Sequence, residues 1–537
     1  MSNRQSSIVN RQSRRFDYSY LVLLSLSLWI VHVLWLARDS RPPVWDMALH
    51  QSYALNYWPG GYSPASPWHW SGNYPPFVHL VIALCYLIFH PGPHVAVLAN
   101  FPATLLLLWG VYELASEFAG REAARWACFL TALTPYLIWM SRETILDYWL
   151  SAWVVASLVA LRRTRGFRER LPSLVLGLAL ALGLLTKWLF IGFLVFPIIY
   201  VCIRERVWRY PARMINVADA LAVAAGLAGI WYLPNIPKLV SYFAENASIG
   251  AREGEPPVLS FQSLIYYFRL LEGYQLFAPL FLLLLVSSIL VWRKGLLHDA
   301  KFLMIAIAGG WLSMTLLRTK DPRFTMPLLG LLAILPAAWI QSWGRTWISR
   351  AGRGALVALL LFQGYLINFG VSWLPAQIIL VRGYQGSLRW DWNLYLQHYF
   401  HILGAPIKED WKQAEIILTL ERDSARSGSR RTLALVPDLP RFNAANFHLY
   451  SRLLGTPLRV DHPQTANGIG SFDGFDYVLI TEGDQGMPWT TLASRALNQI
   501  VVDAPQVFRL VEIFLLPSGD SVRLYSVHRG EAGRPDN

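Results

Sequence analysis

Charge is scarce in this sequence. Only 15% of its 537 residues are Asp, Glu, Lys or Arg, and 54% are apolar. Soluble domains carry about 25% charged residues, so a wholly water-soluble chain is excluded. Acids are the scarcer sign, 34 against 47 lysines and arginines. The resulting +13 does not point to nucleic acid, because most arginines fall in short loops between apolar runs. That distribution reports orientation in a membrane. Cysteine is nearly absent. Cys85, Cys128 and Cys202 all lie in apolar stretches without metal-ligand spacing, and read as small buried hydrophobes. No internal repeat is evident.

What is present is a series of about eleven apolar spans. The N-terminal 1–17 carries Arg4, Arg11, Arg14 and Arg15 and is read as a cytoplasmic tail. The apolar run 18–37 is longer than a signal-peptide core and is read as an uncleaved first helix. Residues 38–76 are polar and aromatic, hence external. The run 77–90 follows Pro75-Pro76. At about 1.5 Å per residue it falls short of a bilayer core of about 30 Å, so it is placed in the outer interface. Further spans are expected at 94–114, 122–140, 147–161, 171–186, 188–203, 215–233, 274–292, 301–317, 324–343 and 354–373. This choice puts the basic run 162–170 inside, with Arg204, Arg206, Arg209, Arg213, Arg293, Lys294, Arg345, Arg350 and Arg353. A full crossing at 77–90 would put 162–170 outside, against the positive-inside tendency. A long external loop is expected at 234–272.

From about 375 the pattern changes. Strands are expected at 432–436, 458–460 and 477–481, and a helix at 442–454. The segments 507–516 and 522–527, joined by Pro517-Ser518-Gly519-Asp520, read as a hairpin. An amphipathic stretch, about 389–422, connects this part to the spans, and 529–537 reads as a disordered tail. The expected architecture is an α-helical polytopic membrane protein, 18–374, followed by an extracytoplasmic α/β domain, 375–537. The expected location is the plasma (inner) membrane.

Two acids stand at the outer ends of spans: Asp46, in Val44-Trp45-Asp46-Met47, and Asp147, in Ser141-Arg142-Glu143-Thr144-Ile145-Leu146-Asp147. A carboxylate at a membrane boundary is a functional-site hypothesis. It is also an ordinary first-turn helix acid, and both readings stand. If both acids face one cavity, they are suited to orient and deprotonate an acceptor hydroxyl or amine, mutual repulsion raising one pKa. Tyr74, His50 and Arg142 join them as candidate binding residues. Lys187, between two spans, either snorkels or contacts a lipid phosphate. Arg318, Lys320 and Arg323 form an external basic cluster against the positive-inside tendency. It suits an anionic head group, or a loop salt-bridged through Asp321. His69, His79, His90 and His94, interleaved with Trp58, Trp68 and Trp70, match no metal motif and read as an interfacial aromatic belt.

Over about residues 18–345 these pieces resemble the membrane glycosyltransferases of family 39, which include protein O-mannosyltransferases and lipid A aminoarabinose transferases. The resemblance rests on Asp46, Tyr74-Pro75-Pro76-Phe77, Ser141-Arg142 with Asp147, Leu185-Thr186-Lys187-Trp188, and Lys320-Asp321-Pro322-Arg323-Phe324 with Pro327. It implies a GT-C-like fold and an outward cavity. It implies a hexosyl or pentosyl transferase with a polyprenyl-phosphate monosaccharide donor and a lipid, glycan or protein acceptor. Asp46 would be the base, Asp147 would position the acceptor, and the basic residues would hold the lipid phosphate. Transfer would invert the anomeric centre. No cofactor is implied, and a divalent metal stays open. One departure is Met47, since many members carry two adjacent acids there. A flippase for lipid-linked saccharides, and a non-catalytic envelope assembly protein, are the competing expectations. Outer-boundary charges rather than broken midplane helices favour chemistry over transport.

Overall fold

The computed structural model describes residues 2–61, 66–385, 388–397, 404–428, 430–456, 458–463, 466–487 and 491–528, with side chains from Tyr18 onward except at 251, 252, 383–385 and 388–390. The expected disordered tail, 529–537, lies outside the described residues. The chain forms two compact units. One comprises Met1–Trp35, Ala65–Val81 and Val97–Ala405, the other Leu36–Pro64, Ile82–Ala96 and Pro406–Asn537. Relative to the boundary expected at 375, residues up to Ala405 pack in the first unit, and 36–64 and 82–96 in the second.

The first unit is helical and built for a membrane. Among the described residues, six stretches are long and apolar enough to cross one: Tyr18–Leu36, Pro93–Ala119, Pro211–Gly250, Phe261–Lys294, Pro322–Ser342 and Trp347–Phe369. Arg170–Thr186, Trp188–Arg204 and Ala300–Thr315 are apolar but shorter. Leu23, Ile30, Leu171, Leu233 and Leu282 are exposed, as lipid-facing side chains must be. The helix Leu146–Arg163 is buried along nearly its whole length. It packs on Phe101–Ala119, on Arg170–Thr186 and on the 3₁₀ segment Pro322–Leu328. Gly110 permits that approach: a Cβ there would lie 2.7 Å from the Val155 side chain. At one end of these helices Arg162 binds Glu117 and Asp299, and Arg204 also binds Asp299.

Two features depart from the expected pattern. The helix Pro211–Arg252 continues through Pro234 and Pro237, so much of the expected loop 234–272 is helical. Asn235 helps hold this stretch, donating to the carbonyls of Trp231 and Trp68. The expected connector 389–422 is instead the second strand of a hairpin and most of a helix. Strand β1 (Gln377–Gln385) pairs antiparallel with β2 (Leu388–Leu396) in the first unit, and the helix is Gln413–Ser427.

The second unit holds a five-stranded sheet. Its strands are β3 (Thr432–Leu435), β4 (Arg459–Asp461), β5 (Tyr477–Thr481), β6 (Phe508–Leu515) and β7 (Ser521–Val527), in the order β4-β3-β5-β7-β6. β4, β3 and β5 run parallel, and β7 and β6 complete the sheet antiparallel. Alternate residues line its two faces. Leu433, Leu435, Tyr477 and Leu479 pack with Ile416, Leu420 and Phe447. Ala434, Val436, Val478 and Ile480 pack with Leu497 and Val501 of the helix Ser494–Asp503. Burial of both faces explains why β5 reads as a continuous apolar run.

Candidate active site

The turn before Asp147 is braced on all sides. Asn100 donates to the carbonyls of Ser141 (3.1 Å) and Glu143 (2.8 Å), and the Trp139 indole donates to Glu143 (3.0 Å). Ser141 Oγ lies 2.7 Å from His32 Nε2. Arg142 is buried, donates to Asn368 Oδ1 at 2.8 Å, and lies 4.4 Å from the Trp35 ring centre. A guanidinium held by an aromatic face and an amide is well placed to fix this turn.

The turn delivers Asp147 to the first turn of Leu146–Arg163, where a negative charge suits the helix dipole. Its partner is Lys187. The ammonium donates to both carboxylate oxygens, at 2.7 and 2.9 Å, and the side chains are only 2% and 9% exposed. Lys187 reaches it because the helix Arg170–Thr186 stops there and the backbone turns extended (φ −160°) before Trp188–Phe190. The ammonium also lies 5.2 Å from the Phe324 ring centre. The charge facing Asp147 in its own unit is therefore a cation, and Lys187 has an acid partner beyond the two roles expected of it.

Next to this pair stands an aromatic wall. Tyr74 stacks on Trp188 with ring centres 5.5 Å apart and planes at 17°. Tyr242 donates its hydroxyl to Tyr74 Oη at 3.0 Å, and Trp188 meets Tyr242 and Phe243 edge-on. Residues 74, 147, 187–188 and 324, from four distant segments, thus converge.

The basic cluster at 318–323 divides into three roles. Lys320 is buried and donates to the carbonyls of Thr315 (2.5 Å) and Leu317 (2.7 Å), capping the helix Ala300–Thr315. Arg323 pairs with Asp321 at 2.7 Å. Arg318 is half-buried and has no hydrogen-bond or ion-pair partner among the described residues.

The Lys320 backbone N–H donates to Glu255 Oε2 at 2.6 Å, joining this turn to the 254–257 loop. Burial pushes the Glu255 carboxyl up from its ordinary 4.5 to about 8, and burial pushes the Lys320 ammonium down from 10.5 to about 8. Glu255 is raised, so its contribution is full below pH 4.5 and is lost as pH rises to about 8. Lys320 is lowered, so its contribution is full above pH 10.5 and is lost as pH falls to about 8. Stability from this junction passes through a minimum near pH 8. Thermal unfolding of wild type and Glu255→Gln across pH 5 to 10 checks this. The glutamine variant should lose the decline between about pH 5 and 8, and identical curves would remove Glu255 from this role.

Asp46 and His50 belong to the second unit. They lie four residues apart, on one face of the helix Trp45–Leu55, Asp46 half-buried and His50 buried. The helix is fixed within that unit by the C-terminal domain. The Trp45 indole donates to Asp438 (3.2 Å), Asn446 donates to the Pro43 carbonyl (2.7 Å), and Arg441 donates to the Pro42 carbonyl. The tie between the Asp46 helix and the C-terminal domain was not legible in the sequence. Among the described residues, no cluster of three or more His, Cys, Asp or Glu side chains is arranged to hold a metal ion.

Residues 73–231 match the family model described as dolichyl-phosphate-mannose-protein mannosyltransferase. That segment contains Tyr74, Arg142, Asp147 and Lys187. No curated protein matches the chain in sequence. Among solved structures, ArnT from Cupriavidus metallidurans bound to undecaprenyl phosphate superposes with a TM-score of 0.58 at 13% identity, covering 94% of this chain and 98% of that one. Its apo form gives 0.57 at 13% identity with the same coverage. The archaeal oligosaccharyltransferase AglB from Archaeoglobus fulgidus, in complex with an inhibitory peptide and a dolichol-phosphate, gives 0.52 at 12% identity, covering 98% and 75%. These likenesses establish the fold, a GT-C helical membrane domain with a sheet-containing C-terminal part. The family match thus falls on the segment that carries the braced acid and its lysine, and the chain shares the GT-C fold of these structures.

Proposed function

We propose that this protein transfers a monosaccharide from a polyprenyl-phosphate donor to a lipid, glycan or protein acceptor, at the external face of the plasma (inner) membrane and with inversion. The observation that carries this is the convergence of Asp147, Lys187, Tyr74 and Phe324, each from a different motif of the family resemblance. Relatives of the same fold bind undecaprenyl phosphate and dolichol-phosphate, which supports a lipid-phosphate donor.

In this reading the Asp46 carboxylate takes the proton of the acceptor hydroxyl or amine. The freed lone pair attacks the anomeric carbon from the face opposite the leaving group. The bond from that carbon to the phosphate oxygen breaks, and polyprenyl phosphate departs with the electron pair. Asp147 positions the acceptor, held in place by Lys187. Arg318, the unpaired cation of the 318–323 turn, meets the lipid phosphate, because guanidinium donors match phosphate oxygens.

Ligand-induced thermal stabilisation tests the donor class. Undecaprenyl phosphate at about 100 times its Kd should stabilise the folded protein by about 2.7 kcal/mol, a shift of a few degrees. Undecaprenol, which lacks the phosphate, should give none, and Arg318→Ala should weaken the effect about 10-fold in ligand concentration. Equal shifts with both lipids would count against a phosphate-recognising site.

A further inference from the structure

The span Phe261–Lys294 is broken in the middle. Residues Leu271–Leu276 form a π-helical turn, and Phe277 then takes φ +60°. A bulky residue in that region is a genuine outlier, and π turns recur at functional sites. The turn carries Glu272, 1% exposed, and neither carboxylate oxygen has a hydrogen-bond partner among the described residues.

The element laid over Glu272 is distorted too. The β1–β2 pairing shifts register on both sides of the Ile379–Asn393 pair, which leaves Leu380 and Leu394 unpaired. Such bulges re-aim side chains and recur next to active sites. Asn393 donates to the Gly273 carbonyl at 3.2 Å, and its own Oδ1 is buried without a partner among the described residues. Its backbone N–H is the donor nearest the Glu272 carboxyl. Gly273 admits the strand: a Cβ there would lie 3.1 Å from the Asp391 carbonyl. One helical turn on, Gln275 donates to Pro322 O (2.6 Å) and Thr325 Oγ1 (3.1 Å), gripping the segment that carries Phe324.

Three buried acceptor oxygens, two on Glu272 and one on Asn393, thus lie close to each other's segments, and among the described residues no side chain donates to any of them. A buried polar group left unpaired is costly, and it persists where a ligand supplies the missing bonds. Acceptors repel phosphate and invite hydroxyl groups. Asp147, by contrast, already takes a charged hydrogen bond from Lys187 at each oxygen.

We propose that Glu272 is a substrate-contacting residue, whose carboxyl, with Asn393 Oδ1, receives hydroxyl donors of the transferred sugar or its acceptor. Access needs β2 to move aside from Gly273. The proposal rests on the glycosyltransferase reading above.

The test compares full-length wild type with Glu272→Leu and Glu272→Gln, measuring Tm and transfer of labelled sugar from polyprenyl-phosphate donors. An unpartnered buried carboxyl is replaceable by an apolar side chain of similar size without loss of stability. The leucine variant should therefore match or exceed the wild-type Tm while transfer falls about 100-fold. The glutamine variant, which keeps one acceptor oxygen, should fall less. A raised donor KM would assign the contact to the donor sugar, and an unchanged one to the acceptor. A stable leucine variant with wild-type transfer overturns the proposal and leaves the glycosyltransferase reading standing. A marked drop in its Tm also overturns it, because the carboxyl would then already have its partners. Absence of transfer by wild type defeats both.

Discussion

Lys187→Met will destabilise this protein by about 3–5 kcal/mol, far more than a typical surface charge deletion. The reason is what it leaves behind. Asp147 is 2% exposed and takes both its charged hydrogen bonds from the Lys187 ammonium. Without that cation a buried carboxylate stands uncompensated. Asp147→Asn should cost a similar amount, stranding the ammonium against Phe324. Combining the two should recover much of the loss, because neither an amide nor a thioether leaves a buried charge uncompensated, giving a coupling energy of about 2–3 kcal/mol. Thermal unfolding of the four proteins in one detergent measures it. Additive losses would mean that the pair is not coupled as the geometry requires. Activity should not return in the double variant, since the acid proposed to position the acceptor is gone from it.

Asp46→Asn should behave in the opposite way. Asp46 is half-buried at the first turn of the helix Trp45–Leu55. An amide of equal size forfeits the helix-dipole contribution there, about 0.3–1 kcal/mol, and keeps one side-chain acceptor oxygen. Transfer should fall by about 100- to 10,000-fold, the usual worth of a positioned general base. Stability nearly intact with activity lost, against stability lost at Lys187, separates the two carboxylates' roles.

Much of the fold was legible because its signals are local. The strand Tyr477–Thr481 is a β-branched and apolar run bounded by polar residues, and it appears with those same bounds. The hairpin through Pro517-Ser518-Gly519-Asp520 follows from turn chemistry, with Gly519 at φ +88°. The 13-residue helix Phe77–Phe89 was recognisable as too short to span. The hairpin β1–β2 was not legible, since its register shifts and its packing on the π turn are tertiary facts. The loop expected at 234–272 missed that the helix Pro211–Arg252 continues through Pro234 and Pro237, a helix-breaking residue type.

The candidate site divides similarly. Each motif was visible in the sequence, but pairings across long separations were not. Asp147 meets Lys187 across 40 residues, and Tyr74 bonds to Tyr242 across 168. Lys320 looked like a phosphate ligand because its type and side of the membrane fit one. Only the fold shows that its ammonium caps the helix ending at Thr315. Glu272 gave no signal at all. It fell at the polar end of the expected loop 234–272, and its burial comes from a strand more than 100 residues later, as the 120-residue separation of Asn393 from Gly273 shows.

The most direct test of the central claim is sugar transfer in proteoliposomes. Polyprenyl-phosphate sugars labelled on the sugar, host lipids and envelope proteins would be supplied to wild type and to Asp46→Asn, matched for folding by Tm. Label moving to an acceptor with wild type and falling at least about 100-fold with Asp46→Asn is the result predicted. Equal transfer by both would contradict the role of Asp46. Label crossing the bilayer without transfer by either would contradict the glycosyltransferase account itself.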